Sequence, residues 1–148
     1  MKVAIGADPN AFGLKDEIKK ELDELGIEYE DFGSEDPIYA NVAIDVAEAV
    51  AKGDYDRGIL MCGTGIGVSI AANKVPGAYA ALVTDAYSAE RAAKSNDANI
   101  ITFGAQTIGH MNARSLVKIW MDSKWVPGGR SQPKVDRIYE YEKEHVAK

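Results

Sequence analysis

Cys62 is the only cysteine in the chain, and Gly63, Gly65 and Gly67 follow it at alternate positions with Thr64 and Ile66 between them. An ionised thiol acts as a base or a nucleophile. Glycines let backbone N–H groups approach a ligand closely, and a helix start adds partial positive charge. The same field favours thiolate over thiol. The stretch therefore offers a candidate base or nucleophile beside a candidate cradle for anionic oxygens. The competing reading is a small core hydrophobe behind a buried strand, which lone cysteines often are. Two nucleotide motifs fail on spacing. G-x-G-x-G is not the dinucleotide G-x-G-x-x-G, and no Lys-Ser/Thr pair follows as in a P-loop.

These residues need elements to hold them. Ile59-Leu60-Met61 has the continuous apolar character of a strand buried on both faces, and Val68–Ala72 resumes a helical pattern after the glycines. Strands are expected at Lys2–Ala7, Ile27–Phe32, Arg57–Met61, Ala78–Val83 and Asn99–Phe103. Between them, Leu14, Ile18, Leu22 and Leu25 recur at helical spacing, as do Val42, Val46, Ala49 and Val50. Ser34–Pro37 reads as a turn. Asp85–Lys94 and a segment carrying Ala113, Leu116, Val117 and Trp120 complete the alternation. The expected fold is α/β: one Rossmann-like domain over residues 1–148, a three-layer sandwich with a five-stranded parallel sheet and an extra C-terminal helix at about 133–146. That helix, with a thin apolar stripe at Val135 and Ile138, either docks on a partner subunit or lies solvated. In such sheets ligands bind at the strands' C-terminal edge. Asp8, Cys62–Gly67, Thr84-Asp85 and Gly104 all follow strands and are candidates for one site there.

Composition narrows the classes. The 148 residues are 46% hydrophobic and 27% charged, as in an ordinary soluble domain. No apolar run approaches the roughly 18 residues of a membrane span, and no basic-then-apolar leader is visible. One cysteine excludes an internal disulfide framework and fits a reducing, cytoplasmic setting. Two histidines and one cysteine do not suggest a structural zinc site. A net charge of −6 argues against a nucleic-acid partner, though a few gathered cations could still hold a small anion.

Several blocks together resemble a known family. Cys62-Gly63-Thr64-Gly65-Ile66-Gly67, Ser69 and Ala71-Ala72-Asn73-Lys74 look like the signature of type B ribose-5-phosphate isomerases and the related galactose-6-phosphate isomerases. Gly6-x-Asp8, Tyr39-Ala40, Tyr87-Ser88-Ala89, Asn96-Asp97-x-Asn99 and Gly128-Gly129-Arg130 agree, so the likeness spans the chain. It implies aldose–ketose isomerisation of a sugar phosphate through an enediol, without metal or cofactor. It implies Cys62 as the base and Thr64 as the group handling the proton between the two oxygens. Gly63, Gly65, Ile66, Gly67, Ser69, Asn96 and Asp8 would bind the sugar. Arg130 would grip the phosphate, with Lys134 in place of a second family arginine; lysine is a point charge rather than a fork. Pro9, Tyr39 and Ser95 are expected along the pocket, although Tyr39 could instead pack on the sheet edge. The family builds its site between subunits, so a homodimer or dimer of dimers is expected.

The chain departs from that pattern where the family carries histidines: Pro9, Ser95 and Ser131 stand there instead, and His110 and His145 lie elsewhere. The family assigns ring opening to the histidine at the position of Ser95. A tetrose 4-phosphate cannot close a furanose ring, because its O4 carries the phosphate. Its enzyme needs no acid to open one. Tyr39-Ala40-Asn41, Lys74-Val75-Pro76-Gly77 and Tyr87–Ala93 also resemble the erythrulose 4-phosphate branch. Erythrulose 4-phosphate/erythrose 4-phosphate is therefore one expectation, with ribose 5-phosphate as the rival. A non-catalytic sugar-phosphate-binding subunit is the second class, and a nucleotide module the third.

Overall fold

The computed structural model describes residues 1–33 and 35–146; Ser34 of the expected turn lies outside them. Three strands explain the frame. β1 (Lys2–Ala7), β3 (Arg57–Cys62) and β5 (Ile100–Gly104) are buried along nearly every residue, because helices cover both their faces. β2 (Glu28–Asp31) is an edge, with Glu28 and Glu30 facing out. β4 (Ala80–Leu82) is the other edge. It is shorter than its apolar run, because the Tyr79 N–H turns to Asn99 Oδ1 at 2.8 Å. All neighbours are parallel, in the order β2-β1-β3-β5-β4.

α1 (Phe12–Glu24), α4 (Ala86–Lys94) and α5 (His110–Met121) cover one face. Leu14, Ile18, Leu22, Ala89, Ala93, Val117 and Trp120 are packed there against Ile5, Ile59 and Phe103. α2 (Tyr39–Ala51) and α3 (Ile66–Ala72) cover the other face through Val46, Ala47, Val68 and Ala72. The result is one α/β domain of three layers. Arg57 starts β3 and fastens it to the end of α5, donating to the Trp120 and Ser123 carbonyls at 2.6 and 2.7 Å while its guanidinium stacks on Trp120. No helix among the described residues is long and apolar enough to cross a membrane.

α6 (Gln132–His145) crosses the β4 edge of the sheet. It is held to its own chain by buried Val135, by Tyr139 Oη donating to Asp97 at 3.0 Å, and by Glu142. The Glu142 carboxylate accepts from Tyr79 Oη at 2.5 Å and from the Gly77 N–H at 3.1 Å. Ile138 and Tyr141 stay exposed.

The sheet order reverses between β1 and β3, which opens a crevice beyond their C-terminal ends. Register places the functional loops there. Ala7 pairs with Met61, the Asp8 N–H reaches the Met61 carbonyl at 3.2 Å, and Cys62 pairs with Gly104.

Candidate functional site

β3 delivers Cys62 to the crevice floor, where the residue is 5% exposed. The chain then turns sharply. Gly65 has φ +78° and caps α3, which begins at Ile66, two residues before the apolar pattern resumes. A side chain at Gly65 would meet both strain and the Phe103 carbonyl carbon at 2.7 Å. Gly104 faces it from β5, where a Cβ would lie 2.5 Å from the Thr64 carbonyl carbon. Two strands' ends thus approach at backbone distance, and only glycines allow it.

The hydrogen bonds aim this loop. Ala105 and Gln106 N–H groups hold the Cys62 and Gly63 carbonyls, each at 2.9 Å. The buried Thr102 hydroxyl donates to the Gly65 carbonyl at 2.8 Å. The Gly65 N–H donates to Cys62 Sγ at 3.1 Å, and the Ile66 N–H to Thr64 Oγ1 at 3.1 Å. Loop carbonyls are therefore tied back into the fold. The N–H groups of Gly63 and Thr64 meet no acceptor among the described residues. A sulfur that accepts one amide, beside two free amides, is suited to a base working next to a developing oxyanion.

A cleft of about 370 Å³ opens over this loop. Cys62, Gly63, Thr64, Ile66 and Gly67 line it, with Asp8, Tyr39 and Ile70. Asp8 is 6% exposed, and its Oδ1 accepts the Asn10 N–H at 3.0 Å, which fixes the carboxylate at the end of β1. The Tyr39 ring lies on Gly67, leaving no room for a Cβ there. Among the described residues, no three His, Cys, Asp or Glu side chains converge as a metal site requires.

The other sequence candidates are elsewhere in the chain. Ser95 and Arg130 line a separate cleft of about 320 Å³ with Ser131, Arg91, Lys94, Lys124 and Trp125. The two clefts share no residue. Asn96 faces a third groove beside Tyr79 and Tyr139. Lys134 is exposed on α6 and lines none of these three hollows; the same holds for exposed Pro9, which opens the short 3-10 turn ahead of α1, and half-buried Ser69 on α3. Asp85 caps α4, accepting from the Ser88 N–H and hydroxyl at 2.8 Å each, and Ser88 holds its carboxyl below the usual range. It is a helix cap outside the Cys62 cleft. Sequence reasoning missed Thr102, Arg91 and Lys124. Thr102 carried a signal, since a buried polar residue in an apolar strand must find a partner. The two cations carried none.

A family model described as Ribose/Galactose Isomerase matches residues 3–138. The ribose-5-phosphate isomerase B of Listeria innocua is 51% identical, over 98% of this chain and 99% of its own. The D-erythrulose-4-phosphate isomerase of Pectobacterium atrosepticum is 44% identical over 98% and 99%. Among solved structures, ribose-5-phosphate isomerase B of Clostridium thermocellum superposes with a TM-score of 0.91 at 42% identity, covering 98% of this chain and 99% of that one. The chain belongs to the ribose/galactose isomerase family and is an isomerase.

Proposed function

We propose that this protein interconverts the aldose and ketose forms of a small sugar phosphate, with Cys62 as the base. The observation that carries the reading is the Cys62 sulfur on the floor of a cleft, beside unpaired amides and the Thr64 hydroxyl. The thiolate takes the proton from C2 of the open-chain aldose. The electron pair moves into the C1–C2 bond, and the carbonyl oxygen becomes an enediolate oxygen held by the Gly63 and Thr64 N–H groups. Thr64 passes a proton between O1 and O2, and the Cys62 thiol returns its proton to C1. Asp8 accepts a hydrogen bond from a sugar hydroxyl.

The phosphate grip lies in the separate Arg130 cleft, which shares no residue with the Cys62 cleft. A second copy of the chain would supply it, laying its Arg130 cleft against the Cys62 cleft of the first. Tyr39, Ile66 and Ile70, on the rim of the Cys62 cleft, are 41%, 51% and 59% exposed and offer the apolar border such a contact needs. Mixing Cys62→Ala with Arg130→Ala tests the shared site. Cys62→Ala alone should be nearly dead, and Arg130→Ala alone nearly inactive at substrate well below its raised KM, the condition for the assay. Re-equilibrated mixtures should regain about a quarter of the wild-type sites, because half the dimers are mixed and each holds one intact pair. No recovery in mixed dimers would exclude a site built across subunits.

The substrate favoured here is a tetrose 4-phosphate, erythrulose 4-phosphate/erythrose 4-phosphate. A serine, a poor acid for opening a sugar ring, stands at position 95 in the cationic cleft. Ribose 5-phosphate is the second reading, favoured by the 51% identity to a protein of that name. Comparing kcat/KM for both decides: a wide margin for ribose 5-phosphate overturns the tetrose reading. A chain that binds either sugar phosphate but moves no C–H proton is a binder, not an enzyme.

A further inference from the structure

The Arg130 cleft is lined by four cations, Arg91, Lys94, Lys124 and Arg130, and by no carboxylate. In a chain of net charge −6 this is a local reversal of sign, which concentrates anions. Lys94 is engaged by Glu90 at 3.5 Å, and Arg91 gives Nη2 to the same carboxylate at 3.0 Å. That leaves the inner part of Arg91 unused: its Nε is buried and has no hydrogen-bond partner among the described residues. A guanidinium N–H is not normally buried without an acceptor. Lys124 and Arg130 have no ion-pair partner among the described residues. Arg91 and Ser95 are one helical turn apart at the end of α4, so an anion held by Arg91 sits beside the Ser95 hydroxyl. Lys134, by contrast, is outside this cleft.

We infer that Arg91 and Lys124, beside Arg130, bind the substrate's phosphate and set the enzyme's selectivity for phosphorylated over neutral sugars. This rests on the sugar-phosphate reading above. Arg91 brings a directed N–H and Lys124 a point charge, and three cations match a dianionic phosphate monoester better than Arg130 alone. Neither residue touches the reacting carbons, so they act on binding and not on proton transfer.

Arg91→Gln and Lys124→Gln test this in the full chain, with Lys118→Gln on the solvent side of α5 as the control. Inorganic phosphate is titrated calorimetrically without turnover, and KM and kcat are measured separately. The Kd for phosphate should rise about tenfold or more in each variant, KM for the sugar phosphate should follow, and kcat should stay within about threefold. Arg91→Lys should recover part of the loss. Unchanged Kd and KM in both variants would overturn the assignment, as would a fall in kcat with phosphate affinity intact. If Arg91→Gln does not fold, Lys124→Gln in the surface loop decides by the same criteria. Because phosphate binding is read without catalysis, a chain that proved unable to isomerise sugars would still pass or fail this test.

Discussion

The two clefts are built from different material. The Cys62 cleft is made of backbone: a strand end, a left-handed glycine, tied-back carbonyls and free amides, with Gly104 pressed against Thr64. The Arg130 cleft is made of long side chains sent from α4 and from the loop between α5 and α6. The first is suited to holding an oxygen whose charge changes during reaction, because fixed dipoles need no rearrangement. The second is suited to gripping a charge that stays constant. Changes in the first should therefore damage turnover, and changes in the second should damage affinity.

The largest break should come at the sulfur. Cys62→Ala should lower kcat by about a thousandfold or more, as expected for loss of a general base, while inorganic phosphate still binds. Next is the backbone contact behind it. Gly104→Ala forces the Cβ into Thr64 and should cost about 1–3 kcal/mol of stability by denaturant titration, with kcat falling more than KM rises. Thr102→Val sharpens the comparison without a clash. It leaves the Gly65 carbonyl without its buried partner, should cost about 1–3 kcal/mol, and should loosen the loop that carries the amides.

The smallest effect lies outside both clefts, on the α6 latch. Burial, with Asp97 beside it, pushes the Tyr139 phenol up from 10.0 to about 12. Its folded value is above its unfolded one. The stabilisation is therefore whole below about pH 10 and is lost as pH rises through about 12. Tyr139→Phe should lower stability at neutral pH by about 0.5–1.5 kcal/mol and blunt that alkaline loss in thermal melts.

The same contrast explains what could be read from the sequence. The Cys62 loop was legible because its glycines stand at fixed spacing within one stretch, and the alternation of apolar runs pointed to the α/β layers directly. The strand order was not legible, since periodicity says nothing about which strands are neighbours. The cationic cleft was legible at Ser95 and at the Gly129-Arg130-Ser131 stretch. Arg91 and Lys124 are 33 positions apart in the numbering, and only the packing of α4 beside the α5–α6 loop brings them to one hollow. The family resemblance points to Lys134, which is exposed on α6 and lines none of the three hollows that hold Cys62, Arg130 and Asn96. Thr102 shows the intermediate case, a polar residue whose burial was foreseeable but whose partner was not.

The most direct test of the central claim follows the proton itself. Wild-type protein and Cys62→Ala are incubated with the sugar phosphate in deuterated water, and label at C1 and C2 is read by nuclear magnetic resonance. Cys62 as the base predicts deuterium at those carbons with the wild type and essentially none with Cys62→Ala, although the variant still binds phosphate. Exchange at an undiminished rate in Cys62→Ala would contradict the account.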